Sequence, residues 1–400
     1  MDSPWIVNPE VSYYASKVFG FLPFARNSRI NIALLYTLML WTCLGLSGVY
    51  VNVYHFKKNQ NVGSQYSMLT KVIFIEVLTK LIVTIFSISI SVHRSQNYIQ
   101  VLEKFYKFDY SASRIPCQPD VRSQTFYLLY VLAIGVHNFV GSSCYSEITW
   151  YILIGWNVFC SSTMLVIVQY MTYVRMLRDR YEVANKIFKK SVLNHSLPST
   201  KYIHPKEINS LFTELRGLTE EVKVYYAYHA VLIIIESVMI LVSTVTTLTV
   251  NLLNELDTDI VRNGYFMGHC FLRFLFLFFV VRETHTTSLE AKNTVLIGHD
   301  ALSIISDITT VKQLEIILLN CWNHPVIFDV HDFFDLDYKL LQSVVRLPRR
   351  ALYNIHLSAP LTGTSDDRDG VDGGELETDL IDRLVHMTVS DARGSLRTTL

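Results

Sequence analysis

Apolar residues along this chain collect into long unbroken runs separated by polar, mostly basic segments. A bilayer core of roughly 30 Å is crossed by about 20 predominantly apolar residues in a helix. Six windows meet that length, at residues 30–54, 68–92, 125–144, 150–174, 228–252 and 264–281. Each is expected to be an α-helix, because a helix is the form in which an open chain satisfies its own backbone in lipid. Two further stretches follow an amphipathic helical period instead. In the connection before the fifth window, Ile208, Leu211, Leu215, Leu218 and Val222 form an apolar stripe with Glu214, Arg216, Glu220 and Glu221 between them. This spacing predicts a helix that extends the fifth span beyond the membrane, alongside the basic stretch YEVANKIFKKSVL. Over 288–320 a second stripe runs through Leu296, Leu302, Ile305, Ile308, Val311, Leu314 and Leu318. Such helices are expected to pack on one another beneath the membrane, or to lie along its surface.

The distribution of Lys and Arg gives the pattern a direction. Lys17, Arg26 and Arg29 precede the first window. Arg94, Lys104, Lys107, Arg114 and Arg122 separate the second from the third. A long basic series spans residues 175–223, and Arg282, Lys292 and Lys312 follow the sixth window. The alternate segments hold little beyond Lys57, Lys58, Lys71 and Arg262. The positive-inside rule then places the N-terminus and both long connections in the cytosol. The sequon Asn194-His195-Ser196 falls in the long basic connection and is expected to stay unglycosylated there. Residues 1–29 lack a signal-peptide pattern, so the first window is read as a permanent anchor.

Composition agrees with this class: of 400 residues, half are hydrophobic and only 18% charged. Formal net charge is zero, which removes any global field for recruiting nucleic acid. The six cysteines have no metal-ligand or redox spacing and read as small core residues. No Walker loop, zinc motif or nucleophile elbow occurs. Neither an enzyme nor a cofactor is therefore expected.

Ionisable and polar groups inside hydrocarbon are costly and mark candidate sites. His137, Asn138, Glu147, Trp150, Tyr265 and His269 gather, by window and depth, near the outer ends of the spans. Aromatic faces and hydrogen-bonding groups there suit a small polar ligand, although each residue alone is more often a satisfied core group. Glu76 and Lys80 stand one helical turn apart and are expected to pair with each other. Glu236 and Arg273 fall at comparable depths of the fifth and sixth windows, where a buried ion pair would set helix register.

After the sixth window the text IFDVHDFFDLDYKLLQSV supplies a local signature. Phe328, Phe333, Phe334, Leu336, Asp337, Leu340, Leu341 and Ser343 occupy the positions of an aromatic segment, a Phe pair, an acidic turn and a Leu-Leu-x-Ser helix start. With the six spans and the long basic connection, this resembles the gustatory receptors of the insect chemoreceptor superfamily. Asp332 stands where that family usually has Gly. The resemblance implies an all-α seven-helix membrane bundle with a cytosolic N-terminus. It also implies a ligand pocket in the outer bundle, a small-molecule tastant, and a cation channel formed as a homo- or hetero-tetramer with other gustatory receptors in the plasma membrane. The corresponding layout is a cytosolic segment 1–29 and a bundle 30–284 with a helical extension at 175–227. An anchor helix and the start of a seventh helix follow at 285–345, then a tail at 346–400.

The resemblance ends near Val345. Arg346, Pro348, Arg349 and Arg350 replace the apolar helix that the family places at its pore, and the Gly, Asp and Ser-rich stretch 360–374 reads as disordered. Either the chain is a variant unable to conduct by itself, or its tail records reading through an exon boundary; the abrupt change of pattern favours the second. A G-protein-coupled receptor would require the opposite threading, and a transporter would require matched halves with broken helices that are not visible.

Overall fold

The computed structural model describes residues 50, 65–112, 132–137, 140, 150–194, 205–253, 260–330, 335–344 and 346. Six long helices lie among them: α1 (Gln65–His93), α2 (Ser95–Ala112), α3 (Trp150–Asn194), α4 (Pro205–Leu253), α5 (Ile260–Ile304) and α6 (Ile308–Asn323). Residues 132–137 are also helical, and a short helical segment begins at residue 338. The windows at 68–92, 150–174, 228–252 and 264–281 fall within α1, α3, α4 and α5. The first window, apart from Tyr50, and most of the third lie outside the described residues, as does the tail beyond Arg346.

Helix length is the first departure from a plain membrane bundle. At about 1.5 Å per residue, the 49 residues of α4 reach roughly 73 Å, more than twice a bilayer core. The stretch YEVANKIFKKSVL continues α3 to Asn194, and the stripe from Ile208 to Val222 continues α4 without a break. All five stripe residues are buried. The 288–320 stripe is instead divided. α5 ends at Ile304, residues 305–307 leave the helix, and α6 starts at Ile308 with its N-cap at Asp307. Leu314 and Leu318 are buried, whereas Leu296 and Ile308 are exposed. The stripe expected over 288–320 is thus carried on two helices, and the turn at 305–307 breaks its phase.

The reversal is made by two local devices. The Asp307 carboxylate accepts hydrogen bonds from the backbone N–H groups of Thr309 and Thr310, and from both hydroxyls, satisfying donors that a helix start leaves orphaned. Gly298 then lets α6 fold back onto α5, because a Cβ at that position would lie 2.9 Å from Leu318 Cγ.

Which faces are buried is the second departure from a water-soluble fold. On α1, Leu78, Ile82, Ile85 and Phe86 are exposed, while Thr84, Ser87 and Ser91 are buried. On α4, Ile235 is exposed while Glu236, Ser237, Ser243, Thr244 and Thr247 are buried; on α5, Met267 and Phe271 are exposed while His269 and Arg273 are buried. In water this arrangement would leave apolar stripes unpaid by burial. In lipid it is the favourable one, since hydrocarbon solvates the aliphatic stripe and helices associate through hydroxyls, small residues and paired charges. By length and composition α4 and α5 are apolar enough to cross a membrane, over Pro205–Thr249 and Asn263–Ile304.

At the end carrying the long extensions, polar groups tie the helices together around an apolar core that includes Leu177, Phe188 and Leu215. Arg180 on α3 forks onto Asp109 of α2, and its guanidinium lies 4.7 Å from the centre of the Phe105 ring. Arg178 reaches Glu283 of α5 at 2.9 Å, and Asn185 donates to both the backbone and the carboxylate of Glu290. Thr294 returns a hydrogen bond to Asn185 at 2.8 Å. Tyr181 shares one with Thr219 of α4, and burial pushes its phenol above its ordinary pKa. Lys104 of α2 pairs with Glu221 of α4.

Candidate functional site

At the opposite end, the first turns of α5 carry Asn-Gly-Tyr-Phe-Met-Gly-His at 263–269. Tyr265, His269 and Arg273 recur every four residues and so share one face of the helix. His137 comes from the helical segment 132–137 and lays its ring on that face. Its centroid is 5.0 Å from that of Tyr265, with the planes 21° apart, and 6.3 Å from that of His269, with the planes 11° apart. Tyr265 and His269 are themselves 6.2 Å apart. Nε2 of His137 lies 3.3 Å from the Tyr265 carbonyl oxygen. This approach requires Gly268, where a Cβ would meet Cε1 of His137 at 2.8 Å.

Three of the six residues singled out from the sequence are thus brought together from two separate elements. Asn138 and Glu147 lie outside the described residues. Trp150 is the first residue of α3, and its side chain lies outside them too.

One turn deeper than His269, Arg273 is 1% exposed, and its guanidinium sits 3.2 Å from the Glu236 carboxylate of α4. The expected ion pair therefore exists. The pairing of Lys80 with Glu76 also exists, at 2.5 Å, and is extended by a feature that spacing alone does not show: Ser243 of α4 donates to the second oxygen of Glu76. Further along α1 and α4, Ser91 and the Ser87 carbonyl contact Nε2 of His229 at 2.9 and 3.2 Å. His229 was not among the residues singled out. Its only sequence signal is an imidazole at the mouth of an apolar run.

The C-terminal signature proves to be a set of anchoring contacts. Thr284 of α5 donates to the Leu336 carbonyl at 2.7 Å, and the Leu336 N–H donates to the Phe328 carbonyl at 2.7 Å. Leu336 and Leu341 are buried, Leu340 is half-buried and Ser343 is exposed. The Asp337 carboxylate caps the final helical segment through the N–H groups of Lys339 and Leu340. Phe333 and Phe334 lie outside the described residues. Asp329 is held 2.5 Å from Lys223 of α4, whose ammonium is kept above its ordinary pKa by Asp329 and Glu220 despite partial burial. Burial and the neighbouring Asp337 and Asp329 carboxylates raise the pKa of Asp335.

Long helices with lipid-compatible surfaces, hydroxyls and ion pairs inside, and a polar aromatic cluster at one end define a multi-pass α-helical membrane protein. Residues 10–346 match the 7tm chemosensory receptor family, and the chain belongs to that family. Its fold is similar to that of the insect olfactory receptor OR5 from Machilis hrabei, with a TM-score of 0.62 at 11% identity, covering 88% of this chain and 97% of that one. The same receptor in complex with eugenol gives a TM-score of 0.59, also at 11% identity, covering 87% of this chain and 95% of that one. No curated protein sequence matches the chain. The family is one of receptors and not of enzymes, and the sequence resemblance, which stopped near Val345, covers the same stretch as the family match.

Proposed function

We propose that this chain is a gustatory receptor: a subunit of a tetrameric ligand-gated cation channel in the plasma membrane, with a cytosolic N-terminus, that responds to a small-molecule tastant. The observation that carries the ligand site is the convergence of His137, Tyr265 and His269 at the end of the bundle remote from the long extensions of α3 and α4. The eugenol complex of the structurally similar receptor supports a small organic ligand. The basic segments around Arg94 and residues 175–223 support a cytosolic location for those extensions. Ligand binding acts by favouring one of two packings of the spans, to the extent that it binds one better than the other.

Cation flux evoked by a tastant panel in cells expressing the chain, alone and with full-length gustatory receptors, tests this reading. Ligand-evoked flux that disappears in His269→Ala supports it. Accessibility of a tag at residue 1 on intact cells would reverse the threading and sink it. A second reading is favoured by the run Arg346 to Arg350, which stands where an apolar pore helix is expected. On that reading the chain assembles with full-length partners and conducts nothing by itself, so flux appears only on co-expression, or the partner's own flux falls.

A further inference from the structure

Arg273 is among the largest fully buried side chains described. A guanidinium carries five N–H donors, and donors buried without acceptors cost heavily in a low-dielectric interior. Its charge is balanced by Glu236 at 3.2 Å, yet among the described residues none of its three nitrogens has a hydrogen-bond partner. The carboxylate thus neutralises the guanidinium without occupying its hydrogen-bonding directions. Among the described residues no group supplies an acceptor along those directions.

Position narrows what the acceptor is. Arg273 lies one helical turn from His269 on the face of α5 that meets His137, so the stacked rings lie about 6 Å nearer the helix start than the guanidinium. A molecule reaching both needs a flat ring for the imidazoles and an oxygen for the arginine. Charge narrows it further. Arg273 is already offset by Glu236 and Lys80 by Glu76, so an added anion would stand uncompensated beside two carboxylates in hydrocarbon. A neutral oxygen meets the need for an acceptor without that cost.

We infer that Arg273 is the polar end of the ligand site, and that the site takes a small aromatic molecule bearing a neutral acceptor oxygen, such as an aryl ketone, aldehyde or ester, with its ring against His137 and His269. The inference rests on the ligand site proposed above and names its chemical class.

Binding of three probes to the full chain in lipid nanodiscs tests it: acetophenone, isopropylbenzene as a hydrocarbon of the same shape, and benzoate as the anion. A hydrogen bond to a charged donor corresponds to about tenfold or more in affinity. Acetophenone is therefore expected to bind at least about tenfold more tightly than isopropylbenzene, and more tightly than benzoate. In Arg273→Met that advantage is expected to shrink to about twofold or less, with isopropylbenzene unchanged. Because a lone Glu236 could unfold that variant, Arg273→Met/Glu236→Gln is the second test and carries the same expectation. Equal affinity for ketone and hydrocarbon, an advantage that survives in the double variant, preference for benzoate, or no binding of any probe would each overturn the inference. The receptor reading is judged separately by tastant-evoked flux, which none of these outcomes decides.

Discussion

Arg180 and Asp109 form a two-pronged ion pair, Nε to Oδ1 at 2.8 Å and the terminal nitrogen to Oδ2 at 2.5 Å, and both side chains are only 4% exposed. The third guanidinium nitrogen donates to the Met176 carbonyl at 2.9 Å. Burial dominates at Asp109 and raises its carboxyl pKa despite the arginine, so the pair fixes where α2 meets α3 more than it adds stability. Asp109→Leu or Arg180→Met alone leaves one buried group unpaired and is expected to cost about 3–5 kcal/mol. The double variant Asp109→Leu/Arg180→Met is expected to recover most of that loss. Arg180→Lys resembles the single deletion, because an ammonium cannot reproduce the fork. Thermal unfolding of the four proteins in detergent gives the comparison.

The close crossing of α5 and α6 supplies an independent test. A methyl group at position 298 meets the branched end of Leu318, which is itself 7% exposed and packed. Gly298→Ala is expected to destabilise by about 1–3 kcal/mol through overpacking, against the small gain that Gly-to-Ala gives in an open helix. Leu318→Ala vacates that space, so the double variant is expected to be less destabilised than the sum of the two single changes. Agreement with simple additivity would show that the two positions do not share the contact.

Elements whose cause is one-dimensional were visible before the fold. Span length and the pairing of Glu76 with Lys80 follow from spacing along the chain. Arg273 and Glu236 were also matched from depth alone, because two opposite charges inside hydrocarbon have few other places to go. What hydropathy does not carry is helix rotation. Leu78, Ile82 and Thr84 all read as acceptable membrane residues, and only packing shows that the first two face outward and the third inward. For the same reason Ser243 beside Glu76, and Ser91 beside His229, were not foreseen. The break between α5 and α6 had a local signal in Asp307-Ile-Thr-Thr, a capping residue ahead of an apolar run, but the stripe on either side masked it. Gathering His137 with Tyr265 and His269 needed only that their spans end on the same side. The contact at Gly268 needed the structure.

That capping signal carries its own expectation. The folded Asp307 carboxyl lies well below its ordinary pKa, held there by the hydroxyls of Thr309 and Thr310 and their backbone N–H groups. A depressed carboxyl contributes stability above its unfolded pKa and loses it as pH falls through the folded value. Asp307→Ala is therefore expected to speed amide exchange in the first turn of α6 at neutral pH, with little effect on α3 or α4. Asp307→Asn, whose side chain still accepts, is expected to keep most of the protection. Equal loss in both variants would assign the effect to charge and not to the cap.

Asp335 has the opposite sign. It bridges to Asp329 through the backbone and stands near the Asp337 and Asp329 carboxylates, with Lys339 and Lys223 offsetting them in part. Its raised folded pKa means that protonation favours the folded loop. The stabilising contribution is present below the unfolded value and is lost as pH rises through the folded value. At neutral pH the ionised group therefore works against the fold, and Asp335→Asn removes that opposition without changing shape. The side chain is exposed, so solvent screening keeps the effect to a few tenths of a kcal/mol. A small rise in melting temperature is expected near pH 7.5, shrinking to nothing as the buffer is taken down through the carboxylate range. Added salt should reduce the gain at neutral pH, because the repulsion it relieves is between partly solvated charges. A gain that stays constant across the whole pH series would place the benefit in the amide's own hydrogen bonds and not in the loss of charge.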